Sequence, residues 1–98
     1  MTGYRKLLEA SAGTIKKEIK LLCTGAVQAE VRDFFGTDAE YKMKDSGDLT
    51  VTAELPENGK FYGWLTGMGG SVRILKPKKS AAAYRDYLKS LAKDYKGL

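Results

Sequence analysis

The side chains of this 98-residue chain best placed to do chemistry are cationic. Lys76, Lys78 and Lys79 surround Pro77, Arg73 stands three residues earlier, and Lys16 and Lys20 lie four apart in an upstream segment. Gathered on one surface, such a set attracts phosphate or another anion. Left apart, the same residues make an ordinary solvated basic surface. The sequence has no histidine, which removes the commonest general base and the commonest zinc ligand. With Cys23 as the single cysteine, no Cys–His or Ser–His nucleophile pair and no zinc site can be assembled. Catalysis would have to rest on Asp, Glu, Lys, Arg or Tyr alone. The chain therefore reads as a non-enzyme with no catalytic residues, no metal site and no cofactor.

Other motifs point the same way. Gly67-Met68-Gly69-Gly70 matches neither the P-loop nor the dinucleotide fingerprint, and it ends a helical pattern instead of starting one. The acidic residues between 38 and 57 lack the spacing of a calcium loop. Gly25-Ala26-Val27-Gln28 resembles the opening of the acylphosphatases, hydrolases that need no histidine. That family implies a phosphate-holding arginine and an asparagine on the second strand. Here Arg32 sits one position short, and Met43-Lys44 occupy the asparagine region.

Charge is distributed unevenly. Residues 28–58 hold eight acidic and three basic side chains, a net −5, so the remainder carries +10. A split of this kind speaks to partners, not to fold.

The elements that must position these residues follow from periodicity. Residues 1–13 read as a leader or linker, with one helical turn at Tyr4, Leu7 and Leu8 broken by Ser11-Ala12-Gly13. From Thr14 the period is two: Ile15, Lys17, Ile19, Leu21 and Cys23 on one face, Lys16, Glu18 and Lys20 on the other. Thr24 offers an N-cap to a helix with Val27, Val31, Phe34 and Phe35 on its apolar side, closed by Gly36. Ala39, Tyr41 and Met43 mark a second strand, and Leu49, Val51, Ala53 and Leu55 a third. Asp45-Ser46-Gly47-Asp48 is hairpin chemistry. Keeping one face apolar suggests pairing Met43 with Val51 and Tyr41 with Ala53 around a Ser46–Asp48 loop. Phe61, Trp64, Leu65 and Met68 form a helical stripe in which Trp64 is the expected anchor. Val72 and Ile74 make a short fourth strand, stopped by Pro77.

The order is βαββαβ plus a C-terminal helix. This predicts an α+β, ferredoxin-like domain over residues 14–98: a four-stranded antiparallel sheet with the first and third strands central and two helices on one face. The open face would carry Lys16, Lys20 and Arg73 beside Lys76, Lys78 and Lys79, an expected site for an anionic effector. Its outward positions are not aromatic, which argues against base stacking of the kind used in RNA recognition. The terminal helix has an apolar stripe, Tyr84, Leu88, Leu91 and Tyr95, that must be buried somewhere. A weak homodimer through that stripe is expected. No run approaches the roughly 20 apolar residues of a membrane span, and residues 1–6 lack the apolar stretch of a signal peptide. A cytoplasmic location without membrane contact is the default expectation.

Three stretches carry a family likeness: Leu21 to Gly36 (LLCTGAVQAEVRDFFG), Phe61 to Pro77 (FYGWLTGMGGSVRILKP), and the helix of Tyr84 and Leu88. In that order they resemble the C-terminal extension, of the WCX type, of WYL-domain bacterial transcriptional regulators. The likeness covers roughly Thr14 to Tyr95. It implies a regulatory module serving dimer contacts and effector response. Nucleic acid would be reached only through an N-terminal DNA-binding domain that this sequence does not include. The Trp-Tyr-Leu motif naming the family is not present; Trp64-Leu65 belongs to a helix. The alternative from fold alone is a ligand-binding domain of the ACT kind.

Overall fold

The computed structural model describes residues 1–97. Its elements are α1 (Gly3–Ala10), β1 (Lys16–Cys23), α2 (Gln28–Phe35), β2 (Glu40–Met43), β3 (Leu49–Pro56), α3 (Gly59–Gly67), β4 (Val72–Lys76) and α4 (Lys78–Asp94). Short 3-10 turns at Gly25–Val27 and Gly69–Ser71 precede α2 and β4. The sheet is antiparallel in the order β2-β3-β1-β4, so the first and third strands are central. This is the ferredoxin-like α+β arrangement, extended by α1 and α4.

Alternation places Ile19, Leu21 and Cys23 of β1 and Leu49, Val51, Ala53 and Leu55 of β3 on the buried side. Val31 and Phe35 of α2 and Phe61, Tyr62 and Leu65 of α3 close over them. Two apolar assignments shift. Ile15 precedes β1 and is exposed, because the chain turns at Ser11–Thr14 before the strand begins. Tyr62 is buried while Trp64 is half-buried, because α4 covers the Tyr62 side of α3: the Tyr62 ring lies 5.2 Å from Tyr84 and 4.8 Å from Tyr87. Trp64 stacks instead on Phe34, with centroids 4.4 Å apart. Lys17, the cation on the apolar face of β1, reaches Glu57 at 3.6 Å.

The hairpin register differs from the expected one by two residues. Met43 pairs with Leu49 and Tyr41 with Val51. The Lys44 N–H donates to the Asp48 carbonyl (2.8 Å) and the Gly47 N–H to the Lys44 carbonyl (2.9 Å), with Gly47 at φ +90°. This is a three-residue loop, Asp45 to Gly47, with glycine at the left-handed position. A two-residue shift preserves the face, so hydrophobic patterning alone cannot detect it. Thr24 makes no side-chain cap; its N–H donates to the Ser71 carbonyl at 2.9 Å. Gly36 ends α2 at φ +61°, a conformation strained for residues with a Cβ. Its carbonyl accepts from the Tyr41 hydroxyl at 2.6 Å.

The segment 1–13, expected as a leader or linker, holds two turns of helix docked on α2. Thr2 caps α1 by accepting from the Arg5 N–H at 3.1 Å. Tyr4 and Leu7 are buried in the core, and the Tyr4 hydroxyl donates to the Glu54 carbonyl at 2.7 Å. Arg5 donates to both oxygens of Asp38, at 2.7 and 3.3 Å. This hydrogen-bonded pairing holds the Asp38 carboxyl below its usual pKa. A depressed carboxylate stabilises the fold above its unfolded pKa of about 4, and that contribution is lost as pH falls through the folded value. The stability gap between wild type and Arg5→Ala should therefore be flat above about pH 5 and close toward pH 2. Urea midpoints across that range measure it; a gap that widens in acid rejects the assignment.

Candidate anion site on the open face of the sheet

Cross-strand pairing builds this surface row by row. One row runs Glu40, Thr52, Lys20, Lys76, and the next runs Lys42, Thr50, Leu22, Arg73. Lys20 and Lys76 are direct neighbours, a like-charged pair that is unfavourable unless something anionic lies between. Neither makes a salt bridge among the described residues; the ion pairs there are Arg5–Asp38, Lys17–Glu57 and Arg85–Asp86. Two shallow grooves of about 400 Å³ run over this face. One is lined by Glu18, Lys20, Glu40, Thr52, Lys76 and Pro77, the other by Lys20, Glu40, Tyr41, Lys42, Thr50 and Thr52. Lys20, Glu40 and Thr52 are shared between them.

The six cations singled out in the sequence do not all meet here. Lys16 is removed from the set: its ammonium donates to the Ser11 and Thr14 carbonyls, both at 3.1 Å, and stitches the turn before β1. It pairs with Pro56, at the opposite end of β1 from Arg73. Lys78 and Lys79 begin α4 and line neither groove. Lys20, Lys76 and Arg73 remain on the face, joined by Lys42. The signal for Lys42 is its outward phase in β2, which the strand order brings across β3 from Leu22, one row from Lys20. Carboxylates border the same face: Glu18 and Glu40 reach into these grooves and, with Asp38 and Glu54, also line a third groove at the adjoining corner. Among the described residues no group of three or more Cys, Asp or Glu side chains is placed to hold a metal.

The terminal-helix stripe also divides. Tyr84 is used within the domain, its hydroxyl 2.8 Å from Thr66 Oγ1 and its ring against Tyr62. Leu88, Leu91 and Tyr95 are exposed, at 38%, 41% and 73%. The residues with catalytic potential have structural partners. Arg32 stacks over the Tyr41 ring at 4.7 Å. Cys23 is fully buried, and burial pushes its thiol up to about 11, away from the thiolate needed of a nucleophile.

A family model, the WCX domain, matches residues 16–92, from β1 to near the end of α4. The chain belongs to the WCX domain family. No curated protein matches it. WCX domains accompany WYL-type transcriptional regulators, so the chain is a regulatory module at that level. The WCX match begins after α1, yet Tyr4 and Leu7 of that helix enter the core. No helix among the described residues is long and apolar enough to cross a membrane.

Proposed function

We propose that this WCX domain is an effector-response module that binds a phosphate-bearing small molecule on the open face of its sheet. The supporting observation is the Lys20–Lys76 neighbourhood, which has no salt bridge among the described residues, with Lys42 and Arg73 in the next row and Thr52 separating Lys20 from Glu40. An anion placed over Lys20 and Lys76 relieves their mutual repulsion and accepts hydrogen bonds from two ammonium groups. Titration of the isotope-labelled chain with inorganic pyrophosphate tests this reading. Amide shifts are expected at Lys20, Thr52 and Lys76, with affinity falling on the order of tenfold in Lys20→Ser/Lys76→Ser and falling as salt rises. No shift at millimolar pyrophosphate, or shifts confined to Lys78 and Lys79, rejects it.

The second reading is a weak homodimer through the distal half of α4, supported by the exposure of Leu88, Leu91 and Tyr95. Residues 71–97 carry eight basic and two acidic side chains, a net +6. A symmetric α4 contact opposes these charges, so it tightens as salt screens them, whereas a basic-edge to acidic-edge contact weakens. Sedimentation across a salt series, with Leu88→Asp/Leu91→Asp alongside, separates the two geometries. A wild type that stays monomeric at high micromolar concentration under every condition rejects association.

A further inference from the structure

β4 is an edge strand. The Thr24 N–H donating to the Ser71 carbonyl at 2.9 Å fixes the phase of its ladder with β1. Alternation from that pair makes Leu22–Arg73 a hydrogen-bonded pair and turns the N–H and C=O of Val72 and Ile74 away from β1. Among the described residues no backbone hydrogen bond outside the ladder reaches these four groups. They border a groove of about 420 Å³ between β4 and α4. Val72, Ile74, Ala81, Tyr84 and Leu88 line it, and Gly69 and Gly70, with no side chain to obstruct approach, form one end. Arg73 lines it too and has no carboxylate within salt-bridge distance among the described residues.

We propose that this groove receives an extended acidic segment of a partner protein, added to β4 as a fifth strand. An unpaired edge beside a helix offers main-chain hydrogen bonds for affinity and an apolar wall for alternate side chains. On an added strand one set of side chains faces Ile74, Tyr84 and Leu88, and the other faces the side of Arg73. The fitting pattern is therefore apolar alternating with acidic. Charge selects the occupant. The β4–α4 segment, residues 72–94, is net +5, so a second copy pairing edge to edge brings like charge to like charge, while an acidic strand is drawn in. The addition is short, because the β4 register shifts beyond Ile74 and Pro77 follows the strand.

The test uses the whole chain, isotope-labelled, and an acetylated, amidated hexapeptide alternating glutamate and valine. Amide shifts are expected at Val72, Ile74 and Ala81, with hydrogen exchange of the Val72 and Ile74 amides slowed about tenfold or more near saturation. Leu88→Glu, at an exposed position, should weaken binding about tenfold while leaving the fold's spectrum intact. The peptide N-methylated on alternate residues, in the register that blocks strand pairing, should not bind, and neither should a lysine–valine hexapeptide. Equal binding of the N-methylated peptide overturns strand addition. Shifts confined to Lys20, Thr52 and Lys76 assign the effect to anion binding alone and overturn it too. So does exchange protection of Val72 and Ile74 that rises with protein concentration without peptide, which makes a second copy the occupant. Absence of any shift at millimolar peptide also ends the proposal.

Discussion

Phe61→Ala should lower the unfolding free energy by about 3–5 kcal/mol, the range for deleting a buried aromatic ring and leaving its cavity. Domains of this size hold roughly 5–15 kcal/mol in total, so the variant should be close to unfolding at 37 °C. The physical reason is position. Phe61 is fully buried in the first turn of α3, directly behind the cap where Asn58 Oδ1 accepts its N–H at 3.0 Å. Trp64→Ala should cost less, about 2 kcal/mol, because that ring is half-buried and its main contact is the stack on Phe34. Urea melts of both variants read the order. A larger loss for Trp64 would make it the anchor of α3, as its spacing in the sequence suggests.

Tyr4→Ala should cost about 3 kcal/mol, and Tyr4→Phe about 1 kcal/mol. The first removes a buried ring 5.2 Å from Phe35; the second removes only the hydroxyl that donates to the Glu54 carbonyl. Both effects are large for a segment outside the span matched by the family model. Urea melts again provide the measurement. A loss under about 0.5 kcal/mol for Tyr4→Ala would return residues 1–13 to the status of a leader.

The strands were legible because alternation is a local signal. Ile19, Leu21 and Cys23, and Leu49 through Leu55, show their buried face without reference to anything distant. What escaped reading depends on contacts far along the chain. Eight residues are too few to distinguish a free helical turn from α1; its burial comes from Phe35 and Glu54, 31 and 50 positions away from Tyr4. Tyr62 is buried by α4, so its own helical stripe cannot announce it. Lys16 belongs by alternation with Lys20, but two carbonyls of the preceding turn capture its ammonium. Of the candidate anion site, Lys20, Lys76 and Arg73 were readable from phase and strand order. Lys42 is outward by the same alternation and expected strand order, but it lies inside the acidic stretch 28–58, away from the basic run around Pro77.

The central place of β1 sets a timetable for the growing chain. Its partners on β3 and β4 lie 26 to 56 residues downstream. At about 5–20 residues per second, that interval is about 1–11 s of synthesis. Until β3 emerges, the apolar side of β1 has no sheet to join. The β2–β3 hairpin closes locally through Asp45–Gly47 and forms the first surface against which β1 can pair. α1 leaves the ribosome first and docks late, since the carbonyl that Tyr4 needs belongs to β3. The nascent chain is therefore most exposed to chaperones and proteases between the emergence of β1 and that of β3.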